Sequence, residues 1–127
     1  WTVVKAIDIP NAPKPVGSYS QAVLKNNTLY VSGQIPMNPT TQKLEIESIE
    51  KATEQVMCNI ESLLNAADMT LNDVLKCSIF LKDMNDFTAV NKIYSSYFQG
   101  TYPARETVQV AKLPLDVPLE ISCIASK

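Results

Sequence analysis

The sequence predicts a two-layer α+β domain, a mixed six-stranded sheet with two helices on one face. Three observations lead there. One long segment and one shorter segment repeat their apolar residues at three- and four-residue steps, as helices with a single buried face do. Around them lie short runs rich in β-branched and aromatic residues, which read as strands. The 127 residues contain no linker, repeat or low-complexity tract, so they make a single domain, 1–127.

The opening IPNAPKPVG has three prolines in nine residues and suits an extended loop. Ser20–Lys25 and Thr28–Ser32 then read as strands around an Asn26-Asn27 turn, because asparagine tolerates the left-handed conformations of tight hairpins. Ile49, Ala52, Val56, Ile60, Leu63, Leu64 and Ala67 share one face of a helix running from about Ser48 to Ala67. VLKCSIFL, Val74–Leu81, suits a central strand buried on both faces. Phe87, Val90, Ile93 or Tyr94, and Tyr97 restore helical spacing, with Asp83 or Asn85 as caps and Gly100 closing the segment. Two strands follow, at about Glu106–Ala111 and Leu119–Ala125. The resulting order is β-β-β-α-β-α-β-β. Two helices cover only one face of a sheet, yet strands such as Leu119–Ala125 look apolar on both sides. Association through the second face is the expected remedy.

Composition narrows the chemistry. With 46% hydrophobic and 19% charged residues the chain can bury a full core. No apolar run approaches the ~20 residues of a membrane span, so no membrane partner is expected. Net charge is −2, the pI is about 5.0 and the lysines are scattered, which argues against nucleic acid as a partner. There is no histidine, so the usual general base near neutral pH and the commonest metal ligand are missing. Cys58, Cys77 and Cys123 show no zinc or redox spacing. They read as buried thiols of a reducing compartment, cytoplasmic or mitochondrial matrix.

Chemistry must then come from carboxylate, Arg, Tyr, hydroxyl or backbone groups. Arg105, in TYPARET, is the chain's one arginine beside ten lysines. It reads either as half of a surface ion pair, with Glu106 for instance, or as a bidentate clamp for a substrate carboxylate at the mouth of a strand. Glu120 lies in an apolar strand, where alternation puts it with Ser122 and Ile124 opposite Leu119, Ile121, Cys123 and Ala125. A carboxylate there is costly unless paired with a lysine or put to use as a general base that positions water. Gly17 and Gly33 serve either turn geometry or close approach of backbone to a ligand. Tyr19 is a phenolic donor or a half-buried loop aromatic. Asn91 is a poor helix former whose amide caps or braces a neighbouring loop.

In order, GSYSQA, VSGQIP, VLKCSIFLKDMNDFTAVNKIY, YPARETV and LPLDVPLEISCIA resemble the Rid family of reactive-intermediate deaminases (the YjgF family), close to its RidA subgroup. The resemblance runs from about Val16 to Ala125. It implies a chorismate-mutase-like α+β unit assembled as a homotrimer, with clefts between neighbouring subunits. It also implies hydrolysis of 2-imino acids and their enamine tautomers, such as 2-iminobutanoate and 2-iminopropanoate, to 2-keto acids and ammonia, with no metal or cofactor. Arg105 matches the arginine that holds the substrate carboxylate, Glu120 the glutamate assigned to the attacking water, and Tyr19 a cleft tyrosine. Ser32 and Gly33 of the SGQIP loop, with Asn91 and Thr107, are implied to bind substrate. One position departs from the pattern: members commonly read P-A-R-S-C-V, and Thr107 stands where they carry the cysteine. Alternation turns the adjacent Glu106 away from Arg105. A chain that kept the cleft and lost turnover, leaving a non-catalytic small-molecule-binding or regulatory protein, is the alternative.

Overall fold

In the computed structural model, which describes residues 3–127, Asn26 and Asn27 have φ of 51° and 64°. Both sit in the left-handed region that a two-residue hairpin turn demands. The turn folds β2 (Ala22–Lys25) onto β3 (Thr28–Gln34), with Lys25 opposite Thr28. β1 (Lys5–Ile7) adds antiparallel to β2. β6 (Leu119–Ser126) pairs with β3 on one side and with β4 (Val74–Leu81) on the other, both antiparallel, and β5 (Ala104–Gln109) closes the far edge parallel to β4. The strand order is β1-β2-β3-β6-β4-β5. The parallel β4–β5 pair needs a crossover, and α2 (Phe87–Ser96) supplies it.

α1 (Ile49–Ala66) starts where the Ser48 hydroxyl accepts from the Lys51 N–H at 3.1 Å, satisfying one of the first turn's orphan donors. Its buried stripe of Ala52, Val56, Ile60, Leu63 and Leu64 is the one the periodicity gives. It packs beside α2 and over β3 and β6, enclosing Leu29, Val31, Ile79, Leu81, Leu119 and Ile121. Each such side chain contributes about 1.5–3 kcal/mol by leaving water. In α2 the buried positions are Val90 and Tyr94. Asp83 caps a 3-10 turn over Met84–Asp86 that leads into the helix, and Asn85 caps nothing. Gly100 does take a left-handed φ of 89°.

Four expectations are corrected. β4 is covered on one face only: Val74, Cys77, Ile79 and Leu81 are buried while Leu75 and Lys76 are exposed, because both helices pack on the same side. β6 alternates in the same way, its odd-numbered residues buried and its even-numbered ones half-buried. β5 begins at Ala104, so Arg105 lies inside the strand and not at its mouth. Cys58 is exposed on α1, whereas Cys77 and Cys123 are buried and face one another across β4 and β6. No described helix is long and apolar enough to cross a membrane.

Candidate functional site

Register decides where the functional side chains point, since residues directly opposite one another share a face of the sheet. Arg105 pairs with the buried Cys77 and therefore faces the helices. There its Nη1 donates to Asn91 Oδ1 at 2.7 Å. The guanidinium carbon also lies 5.1 Å from the Tyr94 ring centroid and 5.5 Å from that of Phe87, close enough for cation–π attraction to both. Phe87, Asn91 and Tyr94 recur at helical steps on α2, so one face of one helix builds the whole cradle. Arg105 has no carboxylate partner among the described residues. Glu106 points to the opposite face and pairs with Lys76 Nζ at 3.1 Å and with the Ser78 hydroxyl. Those two contacts, Ser78 first, hold its carboxyl below the usual range, and they remove it as the arginine's ion pair.

The free side of the guanidinium opens on a groove of about 470 Å3 lined by Asn91, Tyr94, Ser95, Tyr102 and Pro103. Thr107, two residues along β5, faces the same way, opposite Ile79. Its hydroxyl and that of Tyr94 are buried and have no hydrogen-bond partner among the described residues. Unpaired polar atoms of this kind are costly and uncommon. Burial pushes the Tyr94 hydroxyl and the neighbouring Cys77 thiol up, so both remain neutral at physiological pH.

Glu120 belongs to the other face. It pairs with Phe80 on β4, which puts its side chain away from the helices. The β3 ladder shifts register between Val31 and Gln34, and such a bulge re-aims the strand locally. Here it brings Gly33 against the Glu120 carboxyl, where a Cβ on residue 33 would sit 2.6 Å from Glu120 Cδ. Gly33 therefore serves close approach and not a turn, and what it admits is the chain's own carboxylate. Tyr19 and Ser32 line the same recess. The Ser32 hydroxyl donates to the Ser20 carbonyl at 2.6 Å, and Tyr19 accepts weakly from the Val16 N–H at 3.5 Å. Burial alone raises the Glu120 carboxyl above the usual carboxylate value, as suits a general base.

The seven sequence-derived positions thus fall into two groups. Arg105, Asn91 and Thr107 gather on the helix side of β5, and Tyr19, Ser32, Gly33 and Glu120 gather on the open side of β3 and β6. One chain does not bring the groups together. Two strand spacings and a three-residue offset separate the Arg105 and Glu120 Cα atoms by roughly 14 Å, with side chains on opposite faces. Asn91 braces a strand residue rather than a loop. The sequence reading missed Phe87 and Tyr94 as partners of Arg105, although their spacing from Asn91 is the signal that finds them. Among the described residues no cluster of Cys, Asp and Glu is arranged to hold a metal.

Residues 9–127 match the family model described as Endoribonuclease L-PSP. A solved protein of the conserved Rid family from Yersinia pestis superposes with a TM-score of 0.95 at 44% identity, covering 98% of this chain and 100% of its own. The chain belongs to the Rid family. The YjgF gene product of E. coli superposes with a TM-score of 0.93 at 39% identity, over 97% of this chain and 98% of that one. The six-stranded mixed sheet with two helices is the fold these proteins share. A rat protein named 2-iminobutanoate/2-iminopropanoate deaminase is 44% identical over 121 residues, 95% of this chain and 88% of its own.

Proposed function

We propose that the chain hydrolyses 2-imino acids, in equilibrium with their enamines, to 2-keto acids and ammonia in clefts between the subunits of a homotrimer. The observation that carries this reading is the division of the site. An arginine without an ionic partner and a carboxylate of raised pKa lie on opposite faces of one sheet, so each completes a site only against another copy. The uncovered sheet face supplies a surface for that assembly, and the rat relative's name supplies the reaction class.

In the cleft Arg105 of one copy holds the substrate carboxylate through the donors Asn91 leaves free. Glu120 of the next copy takes a proton from water as its oxygen attacks the C=N carbon. The same proton then passes to nitrogen to give a carbinolamine. Glu120 next carries the carbinolamine hydroxyl proton to the amino nitrogen as the C=O forms and the C–N bond breaks, releasing ammonia and the 2-keto acid. Tyr19, Ser32 and the backbone at Gly33 line the approach to Glu120, and Thr107 lies on the arginine's side with its hydroxyl buried. No strong nucleophile is required, because positioning and electrostatics suffice for so labile a bond. We place the reaction in the cytosol or mitochondrial matrix, where three free thiols persist. No cofactor, membrane or nucleic-acid partner is invoked. The family model's name points to RNA cleavage, and a net charge of −2 without histidine gives that chemistry no support.

Thr107 in the cysteine position favours one second reading, a binding protein that kept the cleft and lost turnover. A coupled assay separates the two. A pyridoxal-phosphate dehydratase generates the imine from serine or threonine, and 2-keto acid release is followed with and without this protein. Acceleration supports the hydrolase. Tight 2-keto acid binding without acceleration supports the second reading.

A further inference from the structure

The recess beside Glu120 is larger than the reacting group requires, and the excess is apolar. About 410 Å3 of space falls within the range of small-molecule sites. Apart from Tyr19, Gly33 and Glu120, its walls include Val16, Ile35, Met37, Pro114 and Leu115. Two polar neighbours are already engaged. The Gln21 amide donates to the carbonyls of Ile9, Ala12 and Pro13 and accepts from the Ile9 N–H. The Gln34 amide donates to the Ser32 carbonyl. Lys14 is exposed at the rim.

Leu115 is the unusual wall residue. Its φ and ψ are 54° and 19°, and Asp116 follows at φ 57°. Leucine is disfavoured in this left-handed region because its Cβ crowds the following carbonyl, and such strain collects at functional sites. The loop is nonetheless held. Leu113 and Val117 are buried at its two ends, the Asp116 N–H donates to the Leu113 carbonyl at 3.1 Å, and Lys82 Nζ donates to Asp116 Oδ2 at 3.0 Å. What this rigid, strained loop presents is a leucine with 64% of its surface exposed. Nothing in the core needs that side chain.

We infer that this recess is the side-chain subsite for the substrate and that Leu115 is a specificity-determining residue. The chain thereby takes 2-imino acids with apolar side chains of three or more carbons in preference to 2-iminopropanoate. The inference rests on the proposed hydrolase reading. C2 of a 2-imino acid carries three substituents. The carboxylate goes to Arg105, the nitrogen is the leaving group, and the side chain remains for the apolar walls next to Glu120. Each methylene buried there raises affinity about four-fold, or roughly sixty-fold from a methyl to a butyl side chain.

The test uses the whole chain, its Leu115→Gly variant and two readouts. Glycine accepts the left-handed φ without strain, so the loop keeps its path while the side chain is lost. An amino-acid oxidase generates imines from alanine, 2-aminobutyrate, norvaline and norleucine, and kcat/KM is measured for each. Calorimetry gives the affinity for the matching 2-keto acids. The inference expects both quantities to climb along the series in the wild type and to climb much less in Leu115→Gly. A loss of the same factor for every substrate is what a merely structural residue gives, and it overturns the inference. Values independent of chain length overturn it too, and mean that the neighbouring copy fills the recess. If no imine is turned over but 2-keto acid affinity still climbs and flattens in the variant, the subsite stands and the hydrolase reading falls.

Discussion

Replacing Gly33 with alanine tests whether the bulge in β3 exists to admit the Glu120 carboxyl. Gly33 does not use a positive φ, so alanine is tolerated by the backbone. The added methyl would lie 2.6 Å from Glu120 Cδ and 3.0 Å from its Cγ, against the ~3.5–4.0 Å of an ordinary carbon contact. The carboxyl must therefore move by about 1 Å. A misplacement of that size costs about 10²-fold in rate. The stability cost is small because Glu120 is half-buried and can turn toward solvent. At about 1 kcal/mol, the low end for overpacking, Tm falls by roughly 3–5 °C. The assay is imine hydrolysis under saturating substrate, with circular dichroism for Tm. Repeating the substitution in a Glu120→Ala background, read by Tm because that variant has no turnover to measure, isolates the coupling. If Gly33 acts only by making room, the second alanine costs nothing further. A wild-type rate in Gly33→Ala, or an undiminished Tm loss in the Glu120→Ala background, refutes the reasoning.

Three further outcomes are expected. Arg105→Lys keeps the charge but loses the fork and its stacking over Tyr94 and Phe87, and kcat/KM falls by about 10²-fold with an unchanged sedimentation profile. Glu120→Gln abolishes turnover and raises Tm at pH 8. Burial raises the Glu120 folded pKa above its unfolded value, so ionisation favours the unfolded chain, and the penalty grows as pH climbs between the two values. The Tm gap between wild type and Glu120→Gln therefore closes as pH drops through that window, and a gap independent of pH contradicts the assignment. Thr107→Val removes a buried hydroxyl with no partner among the described residues and stabilises by about 1 kcal/mol, and a KM that rises with it puts the residue in the substrate's reach. An unchanged KM removes Thr107 from the site.

Much of the fold was legible in local pattern. The Asn26-Asn27 turn and the bounds of β4 agree with the sequence reading, and α1 differs by one residue at either end. Cys58 falls off the apolar stripe of α1, so the helical period itself already placed it outside, and its residue type was the misleading signal. β5 was placed two residues late at both ends, Glu106–Ala111 against Ala104–Gln109, because Arg105 is polar and follows Pro103-Ala104, although it pairs with Cys77 in the ladder. Individual site residues stood out by chemistry, Arg105 as the one guanidinium and Glu120 as a carboxylate in an apolar strand. Their division between two faces did not stand out. It follows from the order β6-β4-β5 and from the register across it, which are long-range pairings with no local signature. Leu115 gave no warning either, since Pro-Leu-Asp does not advertise a left-handed turn as Asn-Asn does.

Subunit complementation tests the divided site most directly. Arg105→Lys and Glu120→Gln chains, each with about 1% of wild-type activity or less alone, are unfolded together in equal amounts and refolded. If every site takes its arginine from one copy and its glutamate from the next, random assembly leaves about one quarter of the sites with both native residues. The mixture then recovers close to a quarter of wild-type activity, while the two variants mixed without unfolding stay at the level of the separate chains. No recovery from a mixture that has demonstrably formed hybrid oligomers contradicts the account.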